Sequence, residues 1–187
     1  VLPREDPRDV FVLPAGVTPA SHLPFSEVVA SQATEPRIGS SSVRRIAQLR
    51  QLLPTARFRP VRGNVGSRLR KLDNGWYDLL ILAAAGLRRL GFKDRISAAI
   101  DVKACVPAPG QGIIAIETRE DDLDTIATLT DINDTVTTAA LTAERAVVTA
   151  LDGGCQVPIG VFAEPRSGVL HVNAVVASLD GSLVLQR

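Results

Sequence analysis

Arginines recur at three points in the sequence where a predicted strand leads into a predicted helix. In chain order they are Arg44, Arg45, Arg62, Arg68, Arg88 and Arg89. A guanidinium matches a carboxylate or phosphate in two parallel hydrogen bonds, and a helix N-terminus adds backbone donors and the positive end of its dipole. Any one of these arginines is explained equally well as solvated surface charge, but their recurrence at comparable junctions favours a cradle for a polyanion.

The composition favours a small polycarboxylate or phosphate over a nucleic acid as the bound anion. Aromatic residues make up 4% of the chain, and none lies among the arginines to stack on bases. The formal net charge is +1, so the chain as a whole lacks the positive field of a general nucleic-acid binder. The sequence therefore predicts a local anion site and no nucleic-acid partner.

Cys155 lies in the segment Gly-Gly-Cys-Gln-Val-Pro-Ile-Gly at residues 153–160. The preceding glycines remove side-chain bulk and the proline stiffens the exit, an arrangement that exposes a thiol. His22 and His171 are distant in sequence, which argues against a protease-type cysteine and histidine pair. Taken alone, a loop cysteine more often has no special role, so attachment, catalysis and no role all stay open. Cys105, in an apolar stretch, is predicted to lie in the core.

Gln111 lies in a connection rich in proline and glycine, residues 107–112, between two predicted structural units. A hinge and an ordinary turn explain this segment equally well. The two cysteines and two histidines of the chain have no ligand spacing, so neither a disulfide framework nor a metal site is predicted. The sequence offers no convincing general acid or base.

The composition, 45% hydrophobic and 22% charged, is that of a globular protein with a buried core. No apolar run approaches the roughly 18 to 20 residues that span a bilayer, and no signal sequence opens the chain. A cytoplasmic enzyme without a membrane partner is therefore predicted. The chain begins at Val1 and ends at Arg187 in a predicted strand, and both ends are interpreted as cuts in a longer protein.

The first half of the chain alternates strands with helices, which predicts an α/β unit with a mostly parallel sheet. The predicted strands are 10–13, 58–61 and 77–82, and the predicted helices are 43–53, 64–72 and 84–90. Ligands of such sheets bind at the carboxyl ends of strands, where loops meet helix N-termini. The arginines lie at these junctions. The connection from Leu13 to Pro36 is interpreted as a linker-like surface insertion.

Residues 113–116 are predicted to be a strand of a different sheet, which places a domain crossing at residues 107–112. Two helices, two turns and three antiparallel strands are predicted beyond it, and the tail is a small α+β domain. The helices are 121–129 and 135–151, and the strands are 161–163, 170–177 and 183–185. Asn133 or Asp134 is expected to cap the second helix.

Seven segments, in order and spacing, resemble the hydroxymethylbilane synthase (porphobilinogen deaminase) family along nearly the whole chain. They are residues 4–9, 39–45, 62–68, 71–75, 108–112, 142–145 and 153–160. The last of these, the segment around Cys155, is the most specific.

The resemblance implies three domains. Domains 1 and 2 would share an α/β fold like that of periplasmic binding proteins and clamp the active site, and domain 3 would be a small α+β domain. On this pattern residues 1–8 are the end of domain 1 and a hinge, 9–106 are domain 2, 107–130 return to domain 1, and 131–187 are domain 3. Most of domain 1 and the end of domain 3 would lie outside the chain, and a monomer is expected.

The resemblance also implies the chemistry. In the family, the cysteine that matches Cys155 holds a dipyrromethane cofactor through a thioether. Four porphobilinogens lose ammonia and are joined head to tail on it, and hydrolysis releases hydroxymethylbilane for haem, chlorophyll or corrin biosynthesis. The growing polypyrrole chain carries an acetate and a propionate on each ring. Its binding residues, with those of the cofactor, would be Arg44, Arg45, Arg62, Arg68, Arg89, Ser40, Ser42, Gly63 and Gln111.

One departure from the family pattern bears on activity. The family's catalytic aspartate precedes the segment that matches residues 4–9, so no catalytic residue is assigned in this chain. The polypeptide alone is expected to be inactive and its full-length parent active. The alternative function is a non-enzymatic anion-binding module with a periplasmic-binding-like fold, which explains the arginines but gives Cys155 no role. A covalent adduct on Cys155 distinguishes the two.

Overall fold

A computed structural model describes residues 1–17, 25–152 and 157–187. The strands of a first sheet are β1 (Asp9–Val12), β2 (Arg37–Gly39), β3 (Arg57–Arg59), β4 (Leu79–Ala83) and β5 (Ala98–Ala99). The helices are α1 (Phe25–Ala30), α2 (Val43–Leu52), α3 (Val65–Asp73), α4 (Ala84–Arg89), α5 (Leu123–Thr130) and α6 (Thr135–Ala150), with a 3-10 turn at Lys93–Arg95. The strands of a second sheet are β6 (Ile159–Arg166), β7 (Val169–Ala177) and β8 (Val184–Gln186).

The first sheet has the strand order β3-β2-β4-β1-β5, and β1 runs antiparallel to both of its neighbours. Strands β2, β3 and β4 are parallel, with Ile38 opposite Phe58 on one side and Leu79 on the other. The second sheet is antiparallel, in the order β6-β7-β8. A mainly parallel sheet with flanking helices, joined to a small α+β unit, confirms the predicted fold class. The predicted domain boundaries stay predictions.

Both faces of the first sheet are buried. Successive side chains of a strand point to opposite faces of the sheet, and helices cover both faces. One face carries Phe11, Ile38, Leu79 and Ile81 in a core with helices α1 and α2. The other face carries Val10, Val12, Leu80 and Leu82 in a core with helices α3 and α4. This two-sided burial explains why β4 reads as a continuous apolar run.

Side-chain caps fix where the arginine-bearing helices begin. Ser42 precedes α2 and its side chain accepts a hydrogen bond from the backbone N–H of Arg45. Asn64 precedes α3 and its side chain accepts from the N–H of Ser67. Each cap satisfies a backbone donor that the first helical turn leaves unpaired. Asp134 caps α6 in the same way, accepting from the N–H of Thr137.

The interpretation of residues 14–36 as a surface insertion is wrong for its second half. Helix α1 lies within this stretch, and its Val28 and Val29 are 4% and 2% exposed in the core beside α2. The six-residue helix is too short for its apolar residues to show a helical period, so the sequence pattern does not reveal it.

The predicted strand at 113–116 is also wrong. This segment hydrogen-bonds to the start of the chain, where the Leu2 N–H donates to Ile114 O (3.1 Å) and the Glu5 N–H donates to Gly112 O (3.0 Å), but no ladder forms. Ile114 and Ile116 are 39% and 45% exposed. Apolar content alone suggested the strand, and no neighbouring strand in the described residues pairs with it.

The second sheet packs against α6 and is joined to the first unit by a small core. Val106, the residue before the connection, forms this cluster with Phe162 of β6 and Val175 of β7. The turn that follows β7 also rests on α2, where Arg50 donates to Asp180 O and Gln51 donates to Gly181 O. Among the described residues no helix is both long and apolar enough to cross a membrane.

Candidate functional site

A cleft of about 1000 Å³ lies between the first sheet's unit and helix α6. Its first wall is the start of α2, its floor is the connection after Val106, and its second wall is one face of α6. The described lining residues are Ser41, Ser42, Val43, Arg44, Ala108, Pro109, Gly110, Ile113, Ala115, Leu141, Arg145, Val148, Thr149, Val157, Ile159 and Leu179. The only charged side chains among them are arginines, so the cleft suits an anion.

The parallel strands bring the three arginine-bearing junctions to one edge of the sheet. Helices α2, α3 and α4 each begin within a few residues of the carboxyl end of β2, β3 and β4. Because parallel strands end at the same edge, the loops that hold the predicted arginines are neighbours. The sheet thus provides the arrangement that the sequence pattern predicts, although the roles of these arginines stay predictions.

Asp9, at the start of β1, joins the two arginines of α2. Arg44 Nη2 lies 2.8 Å from Asp9 Oδ2, and Arg45 contacts Asp9 Oδ1 through Nη2 at 2.8 Å and through Nε at 2.9 Å. Gln111 Nε2 donates to the same Oδ1 at 2.9 Å and to Pro7 O at 2.6 Å. One carboxylate therefore fixes two guanidinium groups and Gln111 of the connection in a single network.

The Asp9 carboxyl is 0% exposed yet favours its ionised form. Burial opposes ionisation, but Arg45 and Arg44, together with their hydrogen bonds and that of Gln111, hold the pKa of Asp9 below its usual value. With one negative charge against two positive charges, the group keeps an excess positive charge. Because Arg44 lines the cleft, this excess positive charge lies at the cleft wall.

The guanidinium of Arg44 is held on several sides. Its Nη1 donates to Val106 O at 2.6 Å, and its Nη2 lies 3.4 Å from Gln111 Oε1. Gln48 holds the same backbone by accepting from the Val106 N–H at 2.7 Å. Arg44 is 5% exposed, so its orientation is set by the fold before any ligand arrives.

Cys105 belongs to this buried network and confirms the prediction that it is a core residue. Its side chain is 0% exposed, and its Sγ donates to Asp9 Oδ2 at 3.4 Å. Burial, with the nearby Asp9 charge, raises the pKa of the thiol to about 12. The thiol form is weakly nucleophilic, so Cys105 is not suited to covalent attachment. Cys155 lies outside the described residues.

The remaining predicted arginines lie nearer the surface. Arg68 Nε donates to Gly63 O at 2.7 Å across the β3–α3 loop, and Arg62 of the same loop is exposed. Arg89 Nη2 donates to Gly112 O at 2.6 Å, which places it beside Gln111. Arg88, by contrast, turns to the acidic residues at 5 and 6.

The predicted hydrogen-bonding residues serve the loops themselves. Ser40 is 1% exposed, and its Oγ accepts from the Ser42 N–H at 3.3 Å. Ser42 lines the cleft while capping α2. Gly63 has a φ of +112°, and a Cβ there would come within 2.3 Å of Ser67 Oγ. These contacts shape the β2–α2 and β3–α3 loops.

A second buried carboxylate, Glu144 of α6, was not foreseen. It is 0% exposed and accepts hydrogen bonds from Arg4 Nη1 (2.6 Å), the Gly110 N–H (2.6 Å) and the Ala163 N–H (2.7 Å). Arg4 also lies over the Phe162 ring, 4.9 Å from its centroid. Glu144 therefore joins the first residues of the chain, the connection and β6. The sequence pattern does not single out Asp9 either. The signal that could have revealed it is an acidic residue at the start of a buried apolar strand.

The fold and the cleft together define an α/β protein joined to a small α+β unit, with arginines as the charged residues described in the cleft lining. A family model described as porphobilinogen deaminase, dipyromethane cofactor binding domain, matches residues 1–127, and one described as porphobilinogen deaminase, C-terminal domain, matches residues 138–186. The chain therefore belongs to the porphobilinogen deaminase family. The predicted family is confirmed, and with it the transferase class, a role in tetrapyrrole biosynthesis and dipyrromethane as the cofactor.

Proposed function

We propose that this chain forms the part of a hydroxymethylbilane synthase that holds the dipyrromethane and the growing polypyrrole made from porphobilinogen. The position of the cleft carries the proposal. Thr149 and Val157, which precede and follow Cys155 in the chain, both line it, and so does Arg44 on the opposite wall. A group bonded to Cys155 is thus flanked in sequence by residues of an anion-complementary cleft.

Cys155 is the proposed attachment residue because the other cysteine of the chain is unsuited to the role. Cys105 is fully buried, and its thiol is bonded to Asp9 with its pKa raised to about 12. A thioether needs a thiolate-forming sulfur that a ligand can reach. The two residues that precede Cys155 in the sequence are glycines, which add no side-chain bulk next to it.

The cleft fits the cofactor in size and in charge. Its volume of about 1000 Å³ is at the upper end for small-molecule sites. A dipyrromethane carries a carboxylate-rich surface, and the charged side chains described in the lining are guanidinium groups, which bind carboxylates in two parallel hydrogen bonds. When bound, the cofactor supplies the pyrrole carbon to which porphobilinogen units are added.

The binding roles proposed for individual residues come from the resemblance to the family. Arg44 and Arg45 present a fixed positive pair at the N-terminus of α2, where the helix dipole adds to the attraction for carboxylates. Arg62, Arg68 and Arg89 would bind carboxylates farther along the polypyrrole. The loop and connection residues, which would orient these arginines or bond the same ligand, are Ser40, Ser42, Gly63 and Gln111.

We propose domain assignments for the two structural units and for the segments that join them. Residues 9–106 would be domain 2, residues 131–187 would be domain 3, and the segments 1–8 and 107–130 would belong to the hinge and domain 1. On the family resemblance we place the catalytic aspartate upstream of the segment that matches residues 4–9, so we expect the 187 residues alone to show no turnover. Turnover of porphobilinogen by this polypeptide would contradict that expectation.

The proposal is tested by the intact mass of the full-length gene product purified from cells that make porphobilinogen. We expect a dipyrromethane-sized increment on the parent protein, no increment on Cys155→Ala, and an unchanged increment on the matched control Cys105→Ala. An unmodified parent that nevertheless binds phosphate or simple dicarboxylates would favour the non-enzymatic anion-binding module.

A further inference from the structure

One face of helix α6 forms the second wall of the cleft and carries a single charged residue. Leu141, Arg145, Val148 and Thr149 all line the cleft, at the spacing that places residues on one face of a helix. A charged side chain on an otherwise apolar or neutral stripe costs free energy unless it meets solvent or a partner. Arg145 is exposed, so solvent meets its charge when no ligand is present.

Arg145 has no ion-pair or hydrogen-bond partner for its guanidinium among the described residues. The adjacent carboxylate, Glu144, lies on the neighbouring side of the helix and is fully used by Arg4, the Gly110 N–H and the Ala163 N–H. Arg44, the other charged lining residue, repels Arg145 rather than pairing with it. The five guanidinium N–H donors of Arg145 are therefore available to a ligand.

The donors of Arg44 are largely committed, which makes Arg145 the cleft arginine with the most free donors. The Arg44 guanidinium is 5% exposed and bonded to Asp9, Val106 O and Gln111. An anion between the two walls is thus attracted by the positive charge of Arg44, and it can accept two parallel hydrogen bonds from Arg145. The two arginines have complementary roles, one fixed and one adaptable.

We propose that Arg145 binds a side-chain carboxylate of the pyrrole unit bonded to Cys155. This inference rests on the proposed function. Arg145 precedes Cys155 by ten residues, and Thr149 and Val157, between and beyond them, line the same cleft. Arg145 therefore lies on the wall of the cleft that flanks Cys155 in the sequence, whereas Arg44 lies on the opposite wall.

The test measures binding of porphobilinogen to the Cys155→Ala form of the full-length gene product, whose cleft holds no covalent group, by titration calorimetry. On this background we expect Arg145→Leu to weaken binding about tenfold to a hundredfold, the range for losing a hydrogen bond to a charged group. Arg145→Lys should recover part of the loss. Arg70→Leu is the matched control, because Arg70 is an exposed helical arginine of α3 outside the cleft, and it should change affinity less than twofold.

A second ligand separates carboxylate recognition from a general effect on the fold. Porphobilinogen with both carboxyl groups esterified should bind the Cys155→Ala protein and its Arg145→Leu variant with the same affinity. The inference would be overturned if the Cys155→Ala protein and its Arg145→Leu variant bound free porphobilinogen with equal affinity. It would also be overturned if Arg145→Leu lost as much affinity for the esterified ligand as for free porphobilinogen.

The intact mass of the parent keeps this inference distinct from the proposed function. If the parent carries the adduct and Arg145→Leu binds porphobilinogen as well as its background does, only the role of Arg145 fails. If the parent carries no adduct, the proposed function fails, and with it the role assigned to Arg145 toward a cysteine-linked pyrrole.

Discussion

Asp9 shows how one buried carboxylate prepares a binding site. It holds Arg44 and Arg45 in place and ties them to Gln111 of the connection, so the two guanidinium groups do not have to be ordered when a ligand binds. Pre-ordered donors bind more strongly because the entropy of fixing long side chains is already lost on folding. Asp9 is therefore a positioning residue for the proposed carboxylate site.

Replacing Asp9 with Asn should destabilise the protein by about 3–5 kcal/mol, because the buried Arg44 and the partly buried Arg45 lose their counter-charge. The measurement is the free energy of unfolding in urea. Asp78→Asn is the matched control, since Asp78 pairs with Arg37 at a site where the two side chains are 20% and 40% exposed. The control should cost about 1 kcal/mol or less. Similar costs for the two substitutions would show that the Asp9 network is not a strong buried interaction.

The same substitution should change the acid sensitivity of the fold. The pKa of Asp9 is lowered in the folded state, so its stabilising contribution is present above the pKa of an unfolded aspartate and is lost as pH falls below about 4. Asp9→Asn should therefore lose less stability than the parent between neutral pH and pH 3. An equally steep loss in the variant would contradict this assignment.

At the scale of elements, local signals predict most helices and strands and fail where pairing is distant. Ser42 and Asn64 mark helix starts in the sequence and cap α2 and α3 in the structure. The apolar residues at 113–116 also suggest a strand, but a strand needs a partner that the local sequence does not specify. The Asp9 network escapes prediction for a similar reason, because its members are separated by tens of residues.

At the scale of elements, the structure also explains why residue 112 is a glycine. Its φ is +88°, and a Cβ there would lie 2.4 Å from Glu5 O on the paired segment at the start of the chain. Gly112→Ala should therefore destabilise the protein by about 2 kcal/mol or more, through backbone strain and displacement of that segment. The measurement is the urea unfolding midpoint.

Gly75→Ala is its matched control. Gly75 has a φ of +75° and no atom within 4 Å of the added Cβ, so only the backbone strain of about 1 kcal/mol applies. If the two substitutions cost the same, the close approach of Glu5 and Gly112 does not constrain the connection.

At the scale of the whole molecule, Glu144 joins three parts that the sequence places far apart. It binds Arg4 at the start of the chain, Gly110 of the connection and Ala163 of the second sheet. The helix that carries Glu144 also presents Arg145 to the cleft. The geometry of the cleft thus depends on how the α+β unit is fastened to the connection, which no local sequence pattern reveals.

Glu144→Gln should cost about 3–5 kcal/mol and separate the unfolding of the α+β unit from that of the first sheet, because a buried pair with Arg4 is broken. Differential scanning calorimetry should show a second transition or a broadened one. Glu164→Gln is the control, since Glu164 pairs with Arg166 on a hairpin and is 30% exposed, and it should leave a single transition. One unchanged transition in Glu144→Gln would contradict the fastening role.

The central claim is that Cys155, and not Cys105, holds the cofactor, and peptide mapping tests it most directly. Trypsin cleaves after lysine and arginine, so the two cysteines fall in separate peptides, residues 104–119 and 146–166. For the full-length gene product made in cells that supply porphobilinogen, we expect the dipyrromethane increment on peptide 146–166 and an unmodified peptide 104–119. An increment on peptide 104–119, or on neither peptide, would contradict the account.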